Sequence, residues 1–249
     1  MVVMVLLVVS FILINSRGQN KMLRQRQQMQ KAELAHQKEL LQVMIDSQEA
    51  ERKRIGQDLH DDVGTALSSL RLTIEMFEPG PANSENGKYV GMSKDIIDKV
   101  IKDVRHISHN LSPPMLSYYG LAAAIEEKCS FINNSGQLEI VLVNEARQEL
   151  QELDQITALA FYRVLEELVN NTIKHAGASQ AIIKFSTEAG VILINYTDNG
   201  KGIKPGRSNK GMGLQNIESR LAVVNATYHI EEGSKGFNMT INYRPINAV

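Results

Sequence analysis

The spacing of the apolar residues changes along this 249-residue chain, and the change constrains the fold more than any other feature. Up to about residue 112 the apolar residues recur every three or four positions, which is the period of amphipathic helices. Later runs such as LEIVLV (138–143) and VILINYTD (191–198) are typical of β-strands, with helical segments between them. The sequence therefore predicts a helical part followed by an α+β domain.

Two amphipathic helices joined by a turn are predicted before the Pro113-Pro114 pair, which ends the second helix. The turn is EPGPANSENG (78–87). The apolar stripes of the two helices consist of Ile55, Leu59, Val63, Ala66 and Leu70 and of Ile96, Ile97, Val100, Ile101, Val104 and Ile107, respectively. Two helices on a short loop form a helical hairpin. An aliphatic face of this size needs a partner, so two hairpins are expected to form a dimeric four-helix bundle.

His60 lies just beside the first stripe, within ERKRIGQDLHDDVG (51–64). Gly56 and Gly64 are each four positions away from it, so we expect all three residues on one helix face. A glycine inside a helix costs up to about 1 kcal/mol relative to alanine. Two of them would leave the imidazole on bare backbone, open to a large partner. A lone histidine beside a helix seam is more often a surface or capping residue, so this stretch does not assign a role by itself.

The N-terminal residues carry an uncharged run, MVVMVLLVVSFILI (1–14), followed by the basic residues Arg17, Lys21, Arg24 and Arg26. Fourteen helical residues span about 21 Å, which is short of a hydrocarbon core of about 30 Å. A cleaved signal peptide is the alternative, but its basic residues would precede the apolar run. The positive-inside rule favours a single-pass anchor over residues 1–15 in the inner membrane, with the rest of the chain in the cytoplasm.

Residues 16–50 are rich in Gln, Lys, Glu, Arg and Leu and contain no proline, which predicts a long helix. Leu34, Leu41 and Ile55 share a heptad position, so the coiled-coil pattern is partial and favours a dimer stalk over a solitary charged helix. The net charge of −1 gives no signal for nucleic-acid binding. The single cysteine, Cys129, excludes an intrachain disulfide and suits a reducing compartment.

The segment EELVNNTIKHA (166–176) places four polar residues on one face of a helix predicted over residues 154–176. These residues are Glu167, Asn171, Lys174 and His175. An asparagine amide oxygen is a hard ligand that suits Mg²⁺, and a lysine one turn away can meet phosphate charge. A solvated helix face is the plain alternative, although two consecutive asparagines are poor helix formers.

Two glycine-containing stretches follow. In YTDNGKGI (196–203), Gly200 and Gly202 permit close backbone approach, and Asp198 can accept a hydrogen bond from an exocyclic amine. An ordinary hairpin turn explains the same residues. In NKGMGLQNIESRL (209–221), Gly211 and Gly213 precede an amphipathic helix, whose N-terminus suits phosphate. A simple N-cap turn is the alternative here.

Taken together, the order and spacing of these stretches resemble the sensor histidine kinases of two-component systems, in the subclass partnered with LuxR-like regulators. ERKRIGQDLHDDVG resembles the phosphoacceptor box, and LSPPMLSYYGLAAAI (111–125) resembles the interdomain signature. EELVNNTIKHA, DNGKG and GMGL resemble the N, G1 and G2 boxes of the GHKL (Bergerat) ATP-binding fold. The resemblance covers about residues 50–245 and implies a dimerisation and phosphotransfer domain (51–118) and an α/β sandwich ATPase domain (119–246). The membrane anchor (1–15) and the stalk (16–50) would precede them.

The resemblance also implies the role of each site residue. His60 would be the phosphoacceptor and Asp61 the adjacent base. Asn171 would bind Mg²⁺ with Glu167 ordering it, Lys174 and His175 would contact the phosphates of ATP, and Asp198 would read the adenine amine. The lid over the nucleotide would be bracketed by Gly200, Gly202, Gly211 and Gly213, and Leu214 would be a further ATP-binding residue.

The implied activity is autophosphorylation of His60 from ATP, followed by transfer to an aspartate of a response regulator that carries a receiver and a LuxR-like helix-turn-helix domain. The implied assembly is a homodimer with no direct contact to nucleic acid. Another GHKL-type ATPase or a non-catalytic dimeric scaffold is the alternative.

Two departures from the family pattern stand out. Gly56-Gln57 replaces the usual Ala-Arg, and Thr65 replaces a frequent glutamine, which predicts weak phosphatase activity toward the regulator.

Overall fold

The structure is a computed structural model that describes residues 2–76, 85–202, 211–231 and 235–245. Residues 78–84 of the predicted turn lie outside the described residues, as does the segment between Gly202 and Gly211. The chain divides into two units, Met1–Ile45 and Asp46–Val249. In the first unit the described residues are helical throughout, as the composition predicted. Within the described part of the chain, no helix combines the length and apolar character that crossing a membrane requires.

The helical elements alternate with strands only after the double proline. The helices are α1 (Val2–Asp58), α2 (Gly64–Met76), α3 (Glu85–Leu111), α4 (Pro114–Ser135), α5 (Arg147–Gln151), α6 (Gln155–Asn171) and α7 (Met212–Val223). Two π-helical turns, Leu59–Val63 and Thr172–Ala176, follow α1 and α6. The strands are β1 (Glu139–Asn144), β2 (Gln180–Glu188), β3 (Val191–Asp198), β4 (Thr227–Ile230) and β5 (Phe237–Tyr243).

The end of α1, the first π-helical turn, α2 and α3 form the predicted helical hairpin. Nε of Arg71 on α2 donates to Oδ1 of Asp98 on α3 at 2.6 Å. Part of the predicted α3 stripe is buried in the single chain, at Ile97 and Val104. Ile96 and Ile107 remain 61% and 49% exposed. The hairpin therefore presents an aliphatic face that its own chain does not cover.

Gly56 does not leave bare backbone open to a partner beside His60, and that part of the prediction was wrong. Gly56 is buried, and a Cβ atom there would lie 3.2 Å from the carbonyl oxygen of Ser108 and 3.2 Å from Cβ of Ser112. The Oγ of Ser108 donates to the carbonyl of Gly56 at 2.7 Å. Gly56 thus allows close approach of α1 and α3, while the π-helical turn changes the helical register at His60, which is exposed.

The second half of the chain is a five-stranded mixed sheet in the order β1-β2-β3-β5-β4. β1 runs parallel to β2, and the other neighbouring pairs are antiparallel. Alternate side chains of the strands point into a core shared with α4, α6 and α7, in which Phe161, Phe185 and Tyr196 are fully buried. The register sets Asp198, the last residue of β3, opposite Phe237, the first residue of β5.

α4 and α5 were not predicted. α4 buries Leu121, Ile125, Cys129 and Ile132, which follow each other at three or four residues, so the sequence does carry its helical period. It also bends at Gly120, whose φ of +80° lies in the region that favours glycine. α5 has only five residues, too few to show a period.

Candidate active site

Asp198 accepts hydrogen bonds from several elements around the candidate nucleotide site. It ends β3, and its side chain is buried. Its Oδ1 accepts backbone N–H bonds from Gly200 at 2.9 Å and Phe237 at 3.2 Å. Its Oδ2 accepts the hydroxyl of Thr172, just beyond α6, at 2.7 Å. Groups from three elements therefore fix the orientation of this carboxylate.

Glu167, Asn171 and Gly213 come together where α6 ends and α7 begins. Asn171 is the last residue of α6, and Glu167 lies one turn before it. A Cβ atom on Gly213 would collide with Oε1 of Glu167 and lie 3.2 Å from Nδ2 of Asn171. The glycine therefore lets α7 begin close to these two side chains without displacing them. Leu214 packs against the hydrophobic core, and its N–H donates to the carbonyl of Gly211 at 3.0 Å.

The second π-helical turn carries Lys174 and His175, and both side chains are exposed. Gly200 touches the end of this turn, since a Cβ atom there would lie 2.7 Å from both Cβ and the carbonyl oxygen of Ala176. Gly202 has a φ of +65°. The predicted glycines thus allow the backbone after β3 to approach the end of α6, which brings Asp198 to the same end of that helix as Asn171.

His60 lies in the first π-helical turn with its side chain 61% exposed. Its Nδ1 is 2.9 Å from Oδ1 of Asp61. When the carboxylate accepts the Nδ1 proton, Nε2 keeps its lone pair and faces away from the acid. Thr65 is exposed in α2, and its effect on phosphatase activity stays a prediction. Among the described hydrogen bonds, none joins His60 or Asp61 to the nucleotide residues.

Comparison with known protein families decides the identity of this arrangement. Residues 51–116, which contain His60, match the family described as histidine kinase. Residues 156–245, which contain Asn171 and Asp198, match the family described as histidine kinase-, DNA gyrase B- and HSP90-like ATPase.

The chain belongs to the histidine kinases. It is built from a helical phosphoacceptor domain and a GHKL-type ATPase domain with a mixed sheet, as predicted from the sequence.

Curated relatives agree with this assignment. The chain is 30% identical to the sensor histidine kinase MctS of Rhizobium johnstonii, over 84% of the chain and 48% of MctS. It is 29% identical to the oxygen sensor histidine kinase NreB of Staphylococcus carnosus, over 82% of the chain and 59% of NreB. It is 31% identical to the methanol utilization control sensor protein MoxY of Paracoccus denitrificans, over 76% of the chain and 45% of MoxY. The chain spans about half the length of these relatives.

This histidine kinase chain also contains a buried ion cluster that the sequence did not predict. The guanidinium of Arg163, in the middle of α6, is 2% exposed. Its five N–H donors are all used, because it donates to Glu49 on α1, to Glu166 on α6, and to the backbone carbonyls of Asn110 and Leu111 at the end of α3. The cluster therefore joins α1 and α3 to the helix that ends in Asn171.

Further charges complete the ion cluster. Nζ of Lys128 on α4 lies 2.6 Å from Oε1 of Glu166, and a guanidinium nitrogen of Arg220 on α7 lies 2.9 Å from Oε1 of Glu49. Burial raises the pKa of Glu166, but Lys128 and Arg163 outweigh it and hold that pKa below its ordinary value. Burial likewise lowers the pKa of Arg220, and the charge of Glu49 only partly offsets it.

Proposed function

We propose that this chain is a sensor histidine kinase that transfers the γ-phosphoryl group of ATP to His60. The group then passes to an aspartate of a response regulator with receiver and LuxR-like helix-turn-helix domains. One observation carries the proposal: Asp198, Asn171, Glu167 and Gly213 gather at one end of α6, and a separate helical hairpin presents an exposed histidine paired with an acid.

The nucleotide residues fit ATP with Mg²⁺. Asp198 reads the adenine amine, and Lys174 and His175 meet the phosphates. The amide oxygen of Asn171 is a hard ligand that suits Mg²⁺, and the carboxylate of Glu167 orders it. They lie beside a glycine whose missing side chain leaves them room. Bound Mg²⁺ would neutralise phosphate charge, which phosphoryl transfer requires together with positioning.

The chemistry at His60 follows from its pairing with Asp61. Nε2 attacks the γ-phosphorus, a P–N bond forms, and the bond from the γ-phosphorus to the bridging oxygen breaks to release ADP. The ring gains positive charge in this step. Asp61, 2.9 Å from Nδ1, stabilises that charge and keeps the ring in the tautomer that attacks.

The proposal extends to the organisation of the whole chain. It includes the domain limits 51–118 and 119–246, the stalk over 16–50 and an inner-membrane anchor over 1–15. The uncharged run and the basic residues after it support the anchor. The exposed aliphatic face of the hairpin supports a homodimer.

A labelling experiment separates this proposal from the alternatives. The full chain is incubated with Mg²⁺ and ATP that is radiolabelled in its γ-phosphate. A phosphohistidine gives protein-bound label that is stable in base and lost in acid. A different GHKL-type ATPase would release labelled phosphate without such label, and a non-catalytic scaffold would do neither.

Asn171→Asp is expected to lower autophosphorylation at least about tenfold, since an added negative charge near the phosphates weakens binding of the nucleotide or its productive geometry. Calorimetry with Mg²⁺-ADP and the labelling assay measure the two effects separately. Asn170→Asp is the matched control, because it adds the same charge one residue away, about 100° around α6. Unchanged binding together with unchanged labelling in Asn171→Asp would remove Asn171 from the site.

The chain is expected to sediment as a dimer at micromolar concentration, and Leu70→Glu is expected to weaken that dimer about a hundredfold or more. Leu70 belongs to the predicted stripe and is 49% exposed in the single chain. Burying a leucine side chain contributes about 1.5–3 kcal/mol, and in a symmetric dimer the change occurs twice. Sedimentation of the full chain in mild detergent measures this.

Leu72→Glu is the control for the dimer experiment. Leu72 lies on the same helix and is 60% exposed, but it is outside the stripe, so its replacement should leave the dimer intact. A wild-type chain that sediments as a monomer would contradict the proposed assembly. Equal weakening by both variants would contradict the proposed interface.

A further inference from the structure

A short chain of buried hydroxyl groups ends on Asp198. The Oγ of Thr172 is 2.7 Å from Oδ2 of Asp198, and the hydroxyl of Tyr196 is 2.6 Å from the same Oγ. All three residues are buried. None of the nucleotide roles assigned above uses Thr172 or Tyr196.

The hydroxyl hydrogens of Tyr196 and Thr172 have only one arrangement that is consistent with the two short contacts. An ionised carboxylate only accepts, so Thr172 must donate its single hydroxyl hydrogen to Asp198. The Oγ of Thr172 then accepts from Tyr196. The other acceptor near the Tyr196 hydroxyl is the carbonyl oxygen of Leu168, but it is farther away at 3.4 Å. The donors therefore run from Tyr196 through Thr172 to Asp198.

Thr172 also departs from the usual behaviour of a threonine in a helix. Such a hydroxyl commonly returns to the backbone carbonyl four residues earlier, which here belongs to Leu168. Because Tyr196 donates to Thr172, it fills an acceptor position of the threonine oxygen. This contact turns the hydrogen of Thr172 toward the carboxylate.

The acceptor positions of Asp198 can be counted in the same way. A carboxylate offers about four of them. Oδ1 uses two, for the backbone N–H groups of Gly200 and Phe237, and Oδ2 uses one for Thr172. Among the described residues, none donates to the remaining acceptor position, which is on Oδ2. A ligand group that donates an N–H can use it, whereas a carbonyl oxygen placed there would meet a second acceptor.

We propose that Thr172 and Tyr196 are positioning residues that set the base specificity of the nucleotide site, by holding Oδ2 of Asp198 with its one open acceptor position toward the base. The inference rests on the proposed function, in which Asp198 reads the adenine amine. It predicts that the site selects a purine with a 6-amino group over one with a 6-oxo group.

The test compares ADP with inosine 5′-diphosphate, which differs in that group and carries no γ-phosphate to transfer. Calorimetry on the full chain gives both affinities for the wild type, Thr172→Val, Thr172→Ser and Tyr196→Phe. Thr172→Val keeps the shape and removes the donor, so ADP affinity should fall about tenfold while inosine diphosphate affinity changes less than about twofold. Tyr196→Phe should lower the selectivity about threefold. Thr172→Ser keeps the hydroxyl, so its selectivity for ADP should stay close to that of the wild type.

The selectivity ratio separates positioning from a merely structural role. The inference would be overturned if Thr172→Val lost the same affinity for both nucleotides. It would also be overturned if the selectivity were unchanged in both Thr172→Val and Tyr196→Phe. Tyr196→Phe keeps the ring in the core, so it gives an independent reading if Thr172→Val folds poorly.

Asp198→Asn distinguishes failure of this inference from failure of the proposed function. An asparagine can turn a donor toward the base, so its selectivity for ADP should fall at least about tenfold. Selectivity unchanged in Asp198→Asn would overturn the base-reading role of Asp198 itself. A loss in Asp198→Asn without one in Thr172→Val and Tyr196→Phe would overturn only the role of the hydroxyl chain.

Discussion

His60→Gln is expected to reduce autophosphorylation to background while leaving nucleotide affinity unchanged. A glutamine amide has no nucleophilic lone pair comparable to that of a neutral imidazole. His60 is exposed in the hairpin, while the nucleotide residues lie around the end of α6. The labelling assay measures the loss, and calorimetry with Mg²⁺-ADP measures the retained binding.

His106→Gln and His109→Gln are the controls for this experiment. Both histidines lie on α3, the other helix of the hairpin. The ring of His106 stacks on Phe131 with 4.1 Å between centroids, and burial lowers its pKa. Both variants should retain the acid-labile label. Residual acid-labile label on His60→Gln would instead place the phosphoacceptor at another histidine.

Arg163→Ala is expected to lower the free energy of unfolding by about 3–5 kcal/mol, since two buried carboxylates each lose a basic partner and two backbone carbonyls lose their donors. Glu49 and Glu166 would lose their contacts with the guanidinium, and the carbonyls of Asn110 and Leu111 would lose their donors. Chemical denaturation at neutral pH measures the change. The pKa of Glu166 is lowered in the fold, so its stabilising contribution is lost as the pH falls, and the cost of the variant should shrink in acid.

Two further variants test the geometry of the ion cluster. Arg163→Lys keeps the charge but offers three donors from one nitrogen, so it should recover less than half of the lost stability. Arg147→Ala removes an exposed arginine and should change stability by less than about 0.5 kcal/mol. If Arg163→Ala stays within about 1 kcal/mol of the wild type, the cluster does not stabilise the fold as argued.

Local patterns predicted most of the fold. The stripe on α3 and the alternation in β2 and β3 appear within single elements, so the period alone identifies them. The sequence also carries a helical period in α4 that the prediction missed, and at His60 a π-helical turn replaces the expected α-helical register. Nothing in the spacing of Gly56, His60 and Gly64 shows that the first glycine packs against α3.

The candidate site also has residues that the sequence predicts and residues that it does not. Asn171 and Asp198 lie in short motifs, so their chemistry is visible in the sequence. Arg163 and Glu49 are 114 residues apart, and only the folded chain brings them together. One signal was present, because Arg163 is a lone charge within the apolar run ALAFYRVL (158–165). The pairing of Thr172 with Tyr196 likewise depends on how α6 packs over β3.

The π-helical turn at Leu59–Val63 has a consequence for joining this hairpin to other proteins. Such a turn holds one residue more than an α-helical turn, and one residue corresponds to a rotation of about 100°. Heptad positions counted through Leu34, Leu41 and Ile55 therefore go out of phase before Leu70. In a chimera that fuses a foreign coiled coil to this hairpin, the junction should lie before Leu59. The heptad positions of the coiled coil should be aligned with Ile55 and not with Leu70.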